Sequence, residues 1–169
     1  MEILLVRHAI AEPRAAGLAD EERRLTAKGE RRFRDVVRGL VALDHEVERV
    51  YTSPWRRARQ TAELLAAPMK AKLVTLDALA APPSAASLEG LVGNRVALVG
   101  HEPWMGMLLS LLLFGTTEHG DRFPFKKGGV AHVFGAAKPA GMCLRALHPP
   151  KTLRHIAPAA GPESDAEGA

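Results

Sequence analysis

A chain of 169 residues with 47% hydrophobic and 25% charged residues is long enough for one domain with a substantial core and short for two. Its net charge of +4, carried largely by arginine, favours anionic ligands but is too mild to imply nucleic acid. The single Cys143 excludes an intramolecular disulfide and a cysteine-based zinc site, and the longest apolar run, 105–114, is far shorter than a membrane span.

In chain order, residues 2–6 predict a short buried strand that runs directly into Arg7 and His8. Residues 9–25 are polar and irregular, with Pro13, Gly17 and the acids 20–22. Thr26 is the expected N-cap of a helix to about Leu43: Phe33, Val36, Val37, Leu40 and Val41 follow helical spacing, and arginines fill the other face. Gly29 costs that helix some propensity. A second strand is expected over 47–52, then a helix that Ser53-Pro54 opens, with Pro54 in its first turn, and that stops before Pro68. A third strand over 72–76 leads into an Ala/Pro loop over 78–86, where Ser84 or Ser87 can start a short helix. A fourth strand over 95–99 ends in Gly100-His101, and Glu102-Pro103 opens a very apolar helix to about Phe114. The loop 115–129 follows, then an antiparallel pair over 130–134 and 142–147. Residues 1–156 form the expected single domain, and 157–169, rich in Ala, Pro, Gly and acid, the expected disordered tail. Strands that alternate with helices argue for an α/β sandwich with a largely parallel sheet. No basic leader precedes the short apolar run at 3–6, so a reducing, cytoplasmic setting is the expectation, with no membrane partner.

Three strands end in polar residues: Arg7-His8, Thr52-Ser53 with Arg56, Arg57 and Arg59 just beyond, and Gly100-His101. Open parallel sheets bind ligands at the carboxyl ends of their strands. If these strands are parallel, Arg7, His8, Arg57 and His101 converge on one rim and make an anion site suited to phosphate. Taken singly, each is ordinary: an Arg-His pair decorates surfaces, an arginine trio is a solvated helix face, and a histidine caps a helix. Their joint placement is what points to a site. The seven histidines show no H-x-x-x-H spacing, so no metal and no other cofactor is expected.

These segments resemble the histidine phosphatase superfamily with its phosphoglycerate-mutase-like fold. Arg7-His8 resembles its "RHG" signature, "LTAKGERRF" (25–33) its L-T-x-x-G segment, and "TSPWRRARQTAELL" (52–65) its S-P-x-x-R-A-x-Q-T-A helix, which singles out Arg57 over Arg56. "LVGHEPWMGMLLSLLL" (98–113) is similar to the second-histidine segment, and "FKKGGVAHVFG" (125–135) to the closing strand of short bacterial members. The likeness spans about 2–147 and, with the G-H-E-P form, points to small SixA-type phosphohistidine phosphatases. It implies a three-layer α/β/α sandwich with a mostly parallel sheet. It also implies a mechanism. His8 attacks phosphorus through one ring nitrogen while the other donates to a backbone carbonyl, and water hydrolyses the phosphohistidine. Arg7, Arg57 and His101 bind the phosphoryl oxygens, with His101 charged beside the dianion and the helix opening at Pro103 adding its positive end.

Two departures stand out. Ala9 replaces the glycine of the signature, which asks for a slightly different backbone. The acid that many relatives carry after the third strand has Ala as its counterpart; Asp77 and Glu89 remain candidates, and Glu12 or Asp20 could fold in. Glu102 reads better as the acid that stabilises the helix after it than as a proton donor. A protonated phosphoimidazole needs no strong acid to leave, so a site without one suits phosphohistidine, on a phosphorylated protein, better than a sugar phosphate. The rivals are a broad small-molecule phosphomonoesterase and a non-catalytic phosphate- or phosphoprotein-binding module. Lys126 and Lys127 in the loop 115–129 read equally as partner contacts or solvated lysines; Trp104 and Met105 read as mouth or core.

Overall fold

The computed structural model describes residues 1–157. Strands β1 (Glu2–Arg7), β2 (Arg49–Thr52), β3 (Lys72–Thr75), β4 (Arg95–Gly100), β5 (Val130–Gly135) and β6 (Met142–His148) form one sheet in the order β3-β2-β4-β1-β5-β6. The first four are mutually parallel; β5 and β6 close the sheet antiparallel. The strands alternate sides residue by residue, as a sheet covered on both faces requires. Leu4, Val6, Val50, Ala97 and Val99 face α1 (Ala27–Ala42), α2 (Arg56–Met69) and α4 (Pro150–Ile156). Ile3, Leu5, Val96, Leu98 and Val133 face α3 (Trp104–Phe114). The three-layer α/β/α sandwich with a mostly parallel sheet is the architecture expected. Among the described residues no helix is long and apolar enough to cross a membrane.

Local chemistry explains the helix starts. The Thr26 hydroxyl caps α1 by accepting from the Gly29 N–H at 3.0 Å. Gly29 is required by contact: a Cβ there would lie 2.0 Å from the Ile10 carbonyl oxygen. The L-T-x-x-G segment thus fastens the start of α1 to the chain leaving β1.

Several boundaries differ from expectation. Pro54 lies outside α2, whose N-cap is Trp55; the Ser53 hydroxyl takes the Trp55 N–H at 3.3 Å and turns the chain before the helix begins. Pro68 lies inside α2, which runs to Met69. A proline in the final turn removes a single hydrogen bond, and Lys70, in the left-handed region at φ 52°, ends the helix with its N–H and that of Ala71 on the Ala67 and Ala66 carbonyls. The loop after β3 contains 3-10 turns at Asp77–Ala80 and Ala85–Leu88, the second capped by Ser84. Helix α4 has no counterpart in the sequence reading. Pro149-Pro150 looks like a breaker, yet Pro150 opens the helix and Leu153 is fully buried against α1. Of the tail expected at 157–169, residues 158–169 lie outside the described residues.

Candidate active site

Topology creates the crevice. The connections leaving β1 and β4 pass to opposite faces of the sheet, through α1 and α3, and the two strands are neighbours. Such a point is where open α/β sheets hold ligands. Parallel register pairs Arg7 with Gly100, so His8 and His101 leave the sheet side by side; the His8 N–H donates to the Gly100 carbonyl at 2.9 Å. Across β4, the Ser53 N–H donates to the Val99 carbonyl at 3.0 Å. Three strand ends therefore stand level, and the first turn of α2 brings Arg57 back over them.

The two imidazoles are 5% and 2% exposed, with ring centroids 5.2 Å apart. The His8 Nδ1–H donates to the Ala9 carbonyl at 2.7 Å, which leaves Nε2 as the bare nitrogen; it accepts from the Arg57 Nε–H at 3.2 Å. Burial lowers the His8 pKa from 6.5 to about 3, against the raising bond to Ala9 and assisted by the charges of Arg57, Arg7 and Lys127. His8 is thus a neutral imidazole of fixed tautomer across the physiological range, as nucleophilic attack requires. His101 Nε2 is 2.8 Å from the Ser53 hydroxyl, and its buried Nδ1 has no hydrogen-bond partner among the described residues. Burial first, then His8 and Arg57, pushes it to about 3. The protein by itself holds His101 neutral, and the charged form expected from sequence needs a dianion beside it.

Arg57 is only 3% exposed, and all three of its nitrogens are engaged. Besides Nε on His8, Nη1 donates to the Asp20 carbonyl at 2.5 Å and Nη2 to the Asp20 carboxylate at 2.9 Å. Burial lowers its pKa, and Asp20 opposes that. Trp55 lies under the guanidinium at 4.6 Å and beside the His101 ring at 4.5 Å. Arg7 donates from Nη1 to the Phe125 carbonyl, while its buried Nε has no hydrogen-bond partner among the described residues. An open groove of about 600 Å³, lined by Arg7, Glu102, Pro103, Met107 and Phe125 among others, adjoins it. A larger groove of about 740 Å³ between α1 and α2 is mostly apolar and contains none of these groups.

The candidate acids separate clearly. The Glu102 carboxylate accepts from the Gly106 and Phe125 N–H groups at 3.1 and 2.7 Å, so it caps α3 and pins the loop. Asp77 and Glu89 are exposed, and no hydrogen bond joins either to the site among the described residues. Glu12 accepts from the Arg24 N–H at 3.2 Å. Glu102 borders the groove beside Arg7, and among these acids of the described residues only Asp20 hydrogen-bonds a side chain of the site, Arg57. Desolvation would raise the Asp20 pKa, but hydrogen bonds from Arg23 and Arg14 and the charges of Arg57 and Arg23 hold it at about 2.

The structure brings His8, Arg57 and His101 together with Arg7 alongside. Met105 is core, whereas Trp104 is half-buried 6.1 Å from the His101 ring. Lys126 and Lys127 are exposed, and the charge of Lys127 reaches His8. Ala9 is accommodated without left-handed backbone: its φ is not positive, and its N–H donates to the Thr61 hydroxyl at 3.0 Å. Sequence reasoning used Ser53 only as a strand end and helix opener, and gave no role to Trp55 or Thr61. Their signal was the S-P-W and Q-T-A residues flanking Arg57. Among the described residues no group of histidine, cysteine and carboxylate side chains is arranged to hold a metal ion.

A profile of the histidine phosphatase superfamily (branch 1) matches residues 3–81. A protein of uncharacterised function from Picosynechococcus is 35% identical over 147 residues, which cover 77% of this chain and 82% of the relative. Among solved structures, the protein histidine phosphatase SixA complexed with tungstate is 26% identical, with 90% of this chain and 99% of that chain covered and a TM-score of 0.69. A candidate phosphohistidine phosphatase SixA from Agrobacterium tumefaciens (19% identical, 86% and 96% covered, TM-score 0.69) and the alpha-ribazole phosphatase from Shigella flexneri (15%, 89% and 97%, 0.66) share the fold.

Proposed function

This chain belongs to the histidine phosphatase superfamily, a membership that supports phosphatase-type hydrolysis in general, and we propose that its substrate is a phosphohistidine, carried on a protein. In this reading His8 Nε2 attacks phosphorus in line and becomes phosphorylated, and water then attacks the phosphohistidine and returns His8 to its neutral form. Arg57, Arg7 and His101 neutralise the charge on the three equatorial oxygens. The Ala9 carbonyl keeps the second ring nitrogen protonated, so the imidazole can take up positive charge as its Nε2 bonds to phosphorus.

One observation carries the choice of substrate: among the described residues the carboxylate that hydrogen-bonds a side chain of the site, Asp20, is held ionised by three arginines, while Glu102 beside Arg7 is occupied by two backbone N–H groups. An alkoxide leaving group wants a general acid, worth roughly 10²–10⁴ in rate. A carboxyl held at about 2 carries no proton to give at neutral pH. Phosphohistidine with its ring protonated leaves as neutral imidazole and needs none. The likeness to a protein histidine phosphatase supports the same reading. Purified protein is expected to release phosphate from a phosphohistidine peptide at least ~100-fold faster than from 3-phosphoglycerate, the margin a missing general acid sets. Equal rates would favour the small-molecule phosphomonoesterase, and binding without turnover of either the non-catalytic module.

A further inference from the structure

Asp20 has the position of a ligand. Its Oδ2 accepts from Arg57 Nη2 at 2.9 Å, while its Oδ1 accepts from Arg14 Nε at 2.9 Å and Arg23 Nε at 3.0 Å. Three guanidiniums thus surround one carboxylate, and the cluster keeps a surplus of positive charge. Each nitrogen of Arg57 already donates, Nε to His8 and Nη1 and Nη2 to Asp20, through three of its five N–H groups. A phosphoryl group bonded to His8 Nε2 removes the acceptor that Arg57 Nε–H now uses. The oxygens that arrive with it compete with the Asp20 carboxylate for the same guanidinium.

The segment carrying Asp20 is built to let it go. Its ends are fastened, by the Ala11–Leu25 bridge, by the Leu25 N–H on the Gln60 side chain at 2.8 Å and by Arg23 Nη1 on the Glu12 carbonyl at 2.7 Å. Between them the chain is exposed. Gly17 turns it at φ 80°, where an added Cβ would meet nothing within 4 Å, the Arg14 side chain is 82% exposed, and the Asp20 side chain is 27% exposed and borders solvent.

We propose that Asp20 is a resident competitor: its carboxylate stands in for substrate charge on Arg57, and phosphoryl binding proceeds by displacing it. The inference rests on the reading of His8, Arg57 and His101 as an oxyanion site, and not on which phosphorylated molecule is the substrate. Asp20 then sets the affinity of the site rather than its chemistry. It also keeps the buried Arg57 paired between turnovers, when an unpaired buried charge is costly.

The test compares two tetrahedral oxyanions of like shape and different charge, tungstate (−2) and perrhenate (−1), by calorimetry on the parent, Asp20→Asn and Asp20→Ser. Serine removes the carboxyl and leaves no amide oxygen to take its place. Displacement predicts that both variants bind both ions more tightly, by about the same factor, of order fivefold or more. Weaker tungstate binding in folded variants would make Asp20 a positioning residue and overturn the proposal. So would unchanged affinity. A dianion gain near the square of the monoanion gain would mean that Asp20 stays in place and only repels. If the parent binds neither ion, the oxyanion site itself is wrong; turnover of phosphohistidine peptide by the parent reads the substrate assignment separately.

Discussion

At the scale of single residues, the site depends on side chains that hold its members in place from behind. Thr61 is fully buried, accepts from the Ala9 N–H and donates to the Arg57 carbonyl at 2.7 Å. It ties the residue whose carbonyl fixes the His8 tautomer to the helix that carries Arg57. Thr61→Val keeps the shape but strands the buried Ala9 N–H, so it is expected to cost about 1–3 kcal/mol in urea unfolding, with kcat reduced and Thr61→Ser restoring both. A variant as stable and active as the parent would remove Thr61 from the account. The principal residues were legible in the sequence because chemistry-bearing types stand at three strand ends. Thr61 and Ser53 were visible only as members of the residues flanking Arg57, since what a hydroxyl in a helix or turn does depends on partners that the fold supplies. Asp20 was legible only as one acid among several; what distinguishes it is two arginines of its own loop, Arg14 and Arg23, and Arg57 from α2.

At the scale of elements, the helices that carry the site are fixed by close backbone approaches. Gly29 reads in the sequence as a propensity cost, and the structure reverses that reading. Alanine would gain about 1 kcal/mol of helix propensity. Its Cβ, however, would overlap the Ile10 carbonyl, and overpacking against backbone costs about 1–3 kcal/mol. Gly29→Ala is therefore expected to lower the thermal unfolding midpoint, and a raised midpoint would show that the start of α1 can move freely. The boundaries of α1, β1 and β4 followed from capping and apolar runs. Those of α2 did not, because a proline was read as a stop where it stands in a final turn, and as a start where a serine turn precedes the helix. Helix α4 was hidden behind Pro149-Pro150; the anchor that makes it a helix, Leu153 against α1, is a tertiary contact.

At the scale of the whole molecule, burial of histidines ties stability to pH. Desolvation first, then charged neighbours, lowers His8 and His101 to about 3 and His45 to about 4, and lowers His132 and His148. The folded protein keeps these rings neutral, while the unfolded chain takes up protons as pH falls through 6.5. The unfolded state then binds more protons, so stability is full above about pH 6.5 and is lost toward pH 4. Asp20 adds a loss of the same sign only below 3.8. The unfolding midpoint should fall between pH 7.5 and 5, with proton uptake on unfolding; a flat midpoint over that range would contradict the burial of these rings. The layered α/β plan was legible from strands alternating with helices, and the convergence of positions 7, 8, 57 and 101 followed from parallel strand order. Under the proposed function that convergence has one direct chemical consequence to test, that the nitrogen presented to Arg57 takes the phosphoryl group. The decisive measurement is ³¹P–¹⁵N correlation NMR on protein with ¹⁵N-labelled histidine, phosphorylated by a phosphohistidine peptide. A phosphoryl group on Nε2 of His8 is the expected result, and one on Nδ1, or on any other residue while turnover continues, would contradict it.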